Sequence, residues 1–164
     1  MSILGRMVFG IHCLKISLLQ LGYETPILTV LTDRLAEFVE KDRLDIWESR
    51  IGEVAPYALL DTHPDNDLAD YETLPLGEAQ ALKSLYTTMP AELTDLIDSV
   101  VNIGESNLYG DMGDHSEDSL TAIQLVTEKV IELGIAIPDV SPYVRSPFTE
   151  NDGWGFTRSI STFV

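Results

Sequence analysis

The segment 61–72 has the residue types of a calcium-binding loop. In the register of a twelve-residue loop, Asp61, Asp65 and Asp67 fall at positions 1, 5 and 7, and Glu72 falls at position 12. Calcium loops place oxygen ligands at these positions. A histidine, however, occupies position 3, and an asparagine replaces the glycine of the sharp turn at position 6. This broken register predicts a solvated acidic loop.

The second candidate for chemistry is a pair of histidines, His63 and His115, each of which lies among carboxylates. If the two loops met, their side chains could bind zinc or manganese. A carboxylate- and histidine-based metal-dependent hydrolase is therefore an alternative function. Neither loop has a recognised ligand spacing, such as two histidines one helical turn apart. We expect no metal and no cofactor.

Nucleophilic catalysis has little support in the sequence. Cys13, the only cysteine, lies in the apolar run 11–21, which is typical of a packed and inert thiol. No G-x-S-x-G segment is present, and no phosphate-binding glycine loop. The sequence therefore predicts a binding protein rather than an enzyme.

The elements that would position these residues are helices. Apolar residues recur at helical spacing in several segments, which predicts amphipathic helices. These segments are 6–21, 26–40, 43–55, 75–89, 90–103 and 117–133. Gly22 and Gly134 are placed to end the first and last of them, and Gly104 to end the fifth. We expect one all-α domain over 1–164, a single bundle of six to seven helices.

The last thirty residues, 135–164, differ from the rest. Pro138, Pro142 and Pro147 exclude a continuous helix, and aromatic residues are frequent. Because these aromatics need burial, we expect an extended arm that packs back on the bundle.

The N-terminal run 7–21 is apolar enough to be compared with a signal peptide. Lys15 interrupts it, and no small-residue cleavage site follows. It is also too short and too interrupted to span a bilayer. This pattern predicts a buried first helix, and the single cysteine fits a reducing compartment, so we expect a cytoplasmic protein.

The distribution of charge is the most informative feature of the sequence. The 164 residues carry a formal net charge of −17, and the segment 51–128 has sixteen acidic residues against Lys83 alone. Binding to nucleic acid or to an anionic membrane surface is therefore not expected, because both attract basic residues. The apolar periodicity excludes disorder here. The acidic face is either plain solvation or a surface for a basic protein.

We predict that carboxylates of the loop 61–72 and around the helix 90–103 bind such a partner. Trp154, flanked by two glycines, either packs on the bundle or contacts a partner, and we include it among the predicted partner-binding residues. The predicted partner-binding residues are Asp61, Asp65, Asp67, Asp70, Glu72, Asp95, Asp98, Glu105, Asp111, Asp114 and Trp154.

The chain resembles the small, acidic, helical immunity proteins that bacteria keep beside polymorphic or contact-dependent toxins. The resemblance covers the whole chain as a profile of size, charge and compartment. The segments 107–110, 146–148 and 153–155 look like family signatures. The resemblance implies tight binding to a basic cognate toxin, often a nuclease. An acidic secretion chaperone or adaptor is a further alternative.

Overall fold

A computed structural model describes residues 1–40, 43–63, 67–108 and 115–162. Within these ranges the chain is all-α: it forms seven α-helices joined by turns, and no strand. The helices are α1 (Ile3–Gln20), α2 (Leu28–Glu40), α3 (Leu44–Gly52), α4 (Pro56–Leu59), α5 (Leu76–Thr88), α6 (Ala91–Glu105) and α7 (Glu117–Glu132). The predicted all-α fold and helix number are confirmed. Pro56 directly follows the predicted helix 43–55, and it is the first residue of the short helix α4, which the periodicity did not predict.

Helix α1 is the central element of the core, because α2, α6 and α7 all pack against it. By length and composition it could cross a membrane, with a mean hydropathy of 1.3 over its 18 residues, but 72% of that window is buried inside the fold. Its backbone comes close to α6: a Cβ atom on Gly10 would lie 2.7 Å from Ile103 Cδ1. The helix begins three residues earlier than predicted, because the Ser2 hydroxyl accepts a hydrogen bond from the Gly5 N–H and caps it.

Two of the predicted helix ends are confirmed in detail. Gly22 and Gly134 have φ of +75° and +72°, the left-handed conformation that glycine adopts without cost. After α1, the Tyr23 N–H donates to the Leu18 carbonyl, and after α7 the Ile135 N–H donates to the Val130 carbonyl. Both ends are therefore Schellman motifs.

The predicted end of the fifth helix is wrong. Gly104 lies inside α6 and is buried against the indole of Trp47. A Cβ atom at this position would lie 2.4 Å from Trp47 Cη2 and 2.9 Å from Met7 Cε. The glycine is present because α6 and α3 need this close approach, and sequence periodicity does not report such a contact.

The buried face of α7 also differs from the prediction. The apolar residues at helical spacing here are Leu120, Ile123, Val126, Val130 and Ile131. Val126 and Val130 are completely buried and Ile123 packs against the core, but Ile131 is 61% exposed, whereas Ser119 and Ala122 are completely buried. The reason lies in Arg6, whose buried guanidinium donates to Ser119 Oγ and to the carbonyls of His115 and Ser116. Small residues on α7 make room for this cation.

The C-terminal arm lies against the N-terminal end of α1. It consists of short 3-10 turns at Tyr143–Arg145, Glu150–Gly153 and Ile160–Thr162. The Ser2 N–H donates to the Ser146 carbonyl at 2.7 Å, and the Leu4 N–H donates to the Trp154 carbonyl at 3.0 Å. The arm thus satisfies backbone groups that the first turn of a helix leaves unpaired.

We expect Gly104→Ala to destabilise the protein by about 1 to 3 kcal/mol, because the added methyl group overpacks the Trp47 contact. Gly77→Ala is the matched control: Gly77 is in the first turn of α5, and its Cβ would meet nothing within 4 Å. Helix propensity alone should make that variant equally or slightly more stable. Urea unfolding of both variants provides the measurement. Equal effects of the two substitutions would contradict the packing role of Gly104.

Candidate partner-binding site

The carboxylates of the loop 61–72 organise the loop's own backbone. Asp61 Oδ1 accepts a hydrogen bond from the His63 N–H at 3.0 Å, and Asp67 Oδ1 accepts one from the Ala69 N–H at 2.9 Å. Asp67 thereby caps the 3-10 turn at Leu68–Asp70. Asp65 lies outside the described residues, so the structure does not address its predicted role.

The end of this loop is attached to the bundle by two charged residues that the sequence analysis did not single out. The Glu53 carboxylate accepts from the N–H groups of Glu72 (2.6 Å) and Thr73 (3.0 Å). The buried guanidinium of Arg34 donates to the Thr73 hydroxyl at 2.9 Å and to its carbonyl at 3.0 Å. Asp70 and Glu72 are therefore exposed on a loop whose course is fixed.

Two predicted acids on α6, Asp98 and Glu105, meet around Tyr57 of α4. They lie seven residues apart, which places them on one face of the helix two turns apart. Asp98 Oδ1 accepts from the Tyr57 N–H at 3.2 Å, and Glu105 Oε1 accepts from the Tyr57 hydroxyl at 2.7 Å. The tyrosine remains 47% exposed between them. We call these three residues the Tyr57 cluster.

The Tyr57 cluster is electrostatically unfavourable as it stands. Burial, with smaller contributions from the charges of Asp95 and Glu105, raises the pKa of Asp98 to about 7. Burial also raises the pKa of Glu105, and the charge of Glu48 adds to that shift. In the described part of the chain, no lysine or arginine forms an ion pair with Asp98 or Glu105. The negative charge here is crowded and partly desolvated.

A groove of about 300 Å³ lies beside the cluster, and Glu48 on its wall is close enough to contribute to the raised pKa of Glu105. The groove is lined by Leu44, Asp45, Glu48, Asn107, Leu108 and Trp154. Glu48 was not predicted as a site residue, because its helix alternates acidic and basic residues as solvated helices do. Trp154, which was predicted, also packs on Phe38 at 6.4 Å between ring centroids.

The remaining predicted residues do not join this site in the described structure. Asp95 forms an ion pair with Lys129 of α7 at 3.5 Å. Asp111 and Asp114 lie outside the described residues. The structure thus brings Asp98 and Glu105 together at Tyr57, with Glu48 near Glu105 and Trp154 lining the same groove as Glu48. It places Asp61, Asp67, Asp70 and Glu72 on the loop that follows α4.

The structure adds nothing in favour of the metal-hydrolase alternative. The His115 ring packs edge-on against Phe148, with 6.1 Å between centroids. Among the residues that the structure describes, no three His, Cys, Asp or Glu side chains are grouped as metal ligands would be. Burial raises the pKa of the Cys13 thiol to about 12, so this thiol is protonated and unreactive at neutral pH.

No protein-family model, curated protein or solved structure matches this chain.

We expect Asp98→Asn to stabilise the protein at pH 8 by about 1 kcal/mol or more, since each unit of pKa shift is worth about 1.4 kcal/mol. The pKa of Asp98 rises from 3.8 to about 7 on folding, so between these values the folded state holds a proton that the unfolded state has lost. The stability of the native protein therefore falls as the pH rises through this window. Asparagine has no such titration and keeps an oxygen for the Tyr57 N–H.

The measurement is urea unfolding of both proteins from pH 4 to pH 8, with Glu128→Gln on the exposed side of α7 as a charge-matched control. The gain from Asp98→Asn should shrink as the pH falls towards 4. Parallel stability curves for Asp98→Asn and the native protein would show that Asp98 has no raised pKa.

Proposed function

We propose that this protein binds a basic protein partner through its acidic face and that it acts as an immunity protein, which neutralises a basic toxin. The observation that carries the proposal is the Tyr57 cluster. Asp98 and Glu105 are partly buried and like-charged, and no Lys or Arg of the described chain forms an ion pair with them. Burying these two carboxylates beside each other has an electrostatic cost for the folded protein, whereas a surface that binds a cation gains complementarity from them.

A cation supplied by a partner would relieve the electrostatic cost of the cluster. The raised pKa of Asp98 means that this carboxyl group is only partly ionised near pH 7. A lysine or arginine placed within a few ångström of it favours the ionised form. Association would therefore release protons, and the energy lost on folding would be recovered in the complex.

The wider charge distribution supports the same partner. Sixteen acids against one lysine in 51–128 produce a strong negative field, which raises the association rate of a basic protein through long-range steering. Tyr57, half-exposed at the centre of the acids, is the residue type that most often contributes large binding energies at interfaces. Charge would thus accelerate the encounter, and the aromatic side chains would hold the complex together.

An acidic surface of this kind would inhibit a toxin by covering the basic residues of the toxin's active site. A toxin that acts on nucleic acid needs Lys and Arg in its own active site, since it must bind phosphates. An acidic protein that covers those residues excludes the substrate. An acidic helical chain of 164 residues is large enough to present an interface of standard size, about 800 Å² on each partner.

The experiment is a kinetic measurement of association with the protein encoded by the neighbouring gene. Going from 0.1 M to 1 M salt shortens the Debye length from about 10 Å to about 3 Å, so association should slow by at least about tenfold. Dissociation should change less, because short-range contacts determine it. The double variant Glu48→Gln/Glu105→Gln should reduce the association rate at 0.1 M salt by about fivefold to tenfold.

The control is Glu117→Gln/Glu128→Gln, which removes the same charge from exposed positions on α7. It should change the association rate by less than about twofold. If neither salt nor the first double variant alters the rate, the acidic face is plain solvation and the proposal fails.

A growth assay distinguishes an immunity protein from a secretion chaperone. Production of the neighbouring gene product alone should arrest cell growth, and co-production of this protein should restore it. A chaperone predicts an unaltered growth rate and a requirement of the partner for export instead. Rescue that is weakened by Glu48→Gln/Glu105→Gln, but not by the α7 control pair, would tie inhibition to the acidic face.

A further inference from the structure

We infer that the groove between α3, the end of α6 and the C-terminal arm receives a single arginine side chain of the partner. This inference rests on the proposed function and makes it more specific, since it distinguishes one docking pocket from attraction spread over the whole surface. The groove is formed by Leu44, Asp45, Glu48, Asn107, Leu108 and Trp154.

The size and lining of the groove suit one long side chain. Its volume of about 300 Å³ is at the lower limit of the clefts that bind small ligands. Leu44, Leu108 and Trp154 provide apolar surface for the methylene stem of such a side chain, which long cationic residues bury while their charge stays in a polar setting. The described polar lining consists of Asp45 and Glu48 of α3 and Asn107 after α6. Asp45 already forms an ion pair with Arg43, so Glu48 is the proposed contact for the incoming cation.

The charges around the groove select a cation. Glu48 lies close enough to Tyr57 and Glu105 to raise the pKa of both groups. Negative charge therefore extends from the Tyr57 cluster to the groove wall, and a cation in the groove would be attracted by both. This charge complementarity is the reason to expect a basic occupant in place of a neutral apolar one.

The Asp45 carboxylate at the edge of the groove is already occupied by a guanidinium of this chain. Arg43 donates through Nε to Asp45 Oδ1 at 3.0 Å and through an η nitrogen to Asp45 Oδ2 at 2.8 Å. This two-pronged contact is specific to the planar fork of arginine. Arginine also stacks on the face of tryptophan more favourably than lysine does. Trp154 on the groove wall therefore favours arginine over lysine as the partner's residue.

The test is an NMR titration of the native protein with Nα-acetyl-arginine-N-methylamide as the probe. The two tryptophans give two indole N–H signals, which Trp154→Phe assigns. Trp47 is buried and donates to the Arg34 carbonyl, so its signal is an internal reference. We expect a saturable shift of the Trp154 signal, with a dissociation constant in the millimolar range, and no saturable shift of the Trp47 signal.

Matched probes and variants make the result specific. The citrulline analogue has nearly the same shape but no charge, and it should cause no saturable shift. The lysine analogue should bind at least about threefold more weakly than the arginine compound. Glu48→Gln should weaken the arginine compound by at least about threefold, whereas Glu117→Gln should leave its affinity unchanged.

A Trp154 chemical shift that changes linearly with probe concentration, or equal binding of the citrulline analogue, would show that the groove is not a binding pocket for a cationic side chain. Equal binding of the lysine analogue would overturn its assignment to arginine. If the titration fails while Glu48→Gln/Glu105→Gln still slows association with the partner, the groove assignment is wrong and the acidic-face proposal stands. If the titration succeeds while association is insensitive to charge, the proposed function is wrong and the groove binds arginine for another purpose.

Discussion

The burial of α1 is the constraint on which the rest of the structure depends. A helix enclosed by α2, α6 and α7 cannot leave the N–H groups of its first turn to water, so partners inside the protein must accept their hydrogen bonds. Ser2 supplies one acceptor through its side chain, and the C-terminal arm supplies another through the Trp154 carbonyl. The requirement for this second acceptor fixes the arm against α1. The indole of Trp154 is thereby held beside α3, and the groove exists because of it.

The acidic residues of this protein have two different uses. Several are acceptors for backbone N–H groups within the fold: Glu53 for Glu72 and Thr73, Asp67 for Ala69, and Asp98 for Tyr57. These carboxylates accept hydrogen bonds from backbone N–H groups, as the side chains of helix N-cap residues do. Among them, Asp98 differs in that burial raises its pKa to about 7. Sequence composition does not distinguish these acids from one another. The structure shows that some, such as Glu53 and Asp67, accept solvent-exposed backbone hydrogen bonds, whereas Asp98 is partly buried beside other carboxylates.

Much of the fold follows from local sequence signals. Gly22 and Gly134 end α1 and α7 as their positions after the apolar periodicity predict, and the structure shows a Schellman motif at both. Predictions from local sequence were wrong where a contact between distant segments determines which residues are buried. Gly104 is a packing residue for Trp47, 57 positions earlier in the chain, and Ser119 is buried because Arg6 needs an acceptor. The same limit applies to the site. Helical spacing is enough to place Asp98 and Glu105 on one face of α6. Their hydrogen bonds with Tyr57 and the influence of Glu48 on Glu105 depend on how α3, α4 and α6 pack, which local sequence does not reveal.

The central position of α1 has a consequence for how the chain is made. The ribosome produces α1 first, yet α6 and α7, which enclose it, are separated from it by about 70 to 100 residues. At synthesis rates of about 5 to 20 residues per second, this apolar helix emerges several seconds before its neighbours. Throughout that interval only α2, which follows α1 closely, can cover it, so the faces of α1 that later contact α6 and α7 are open to chaperones. The helix that holds the finished protein together is therefore the part of the chain most exposed to aggregation while the protein is being made.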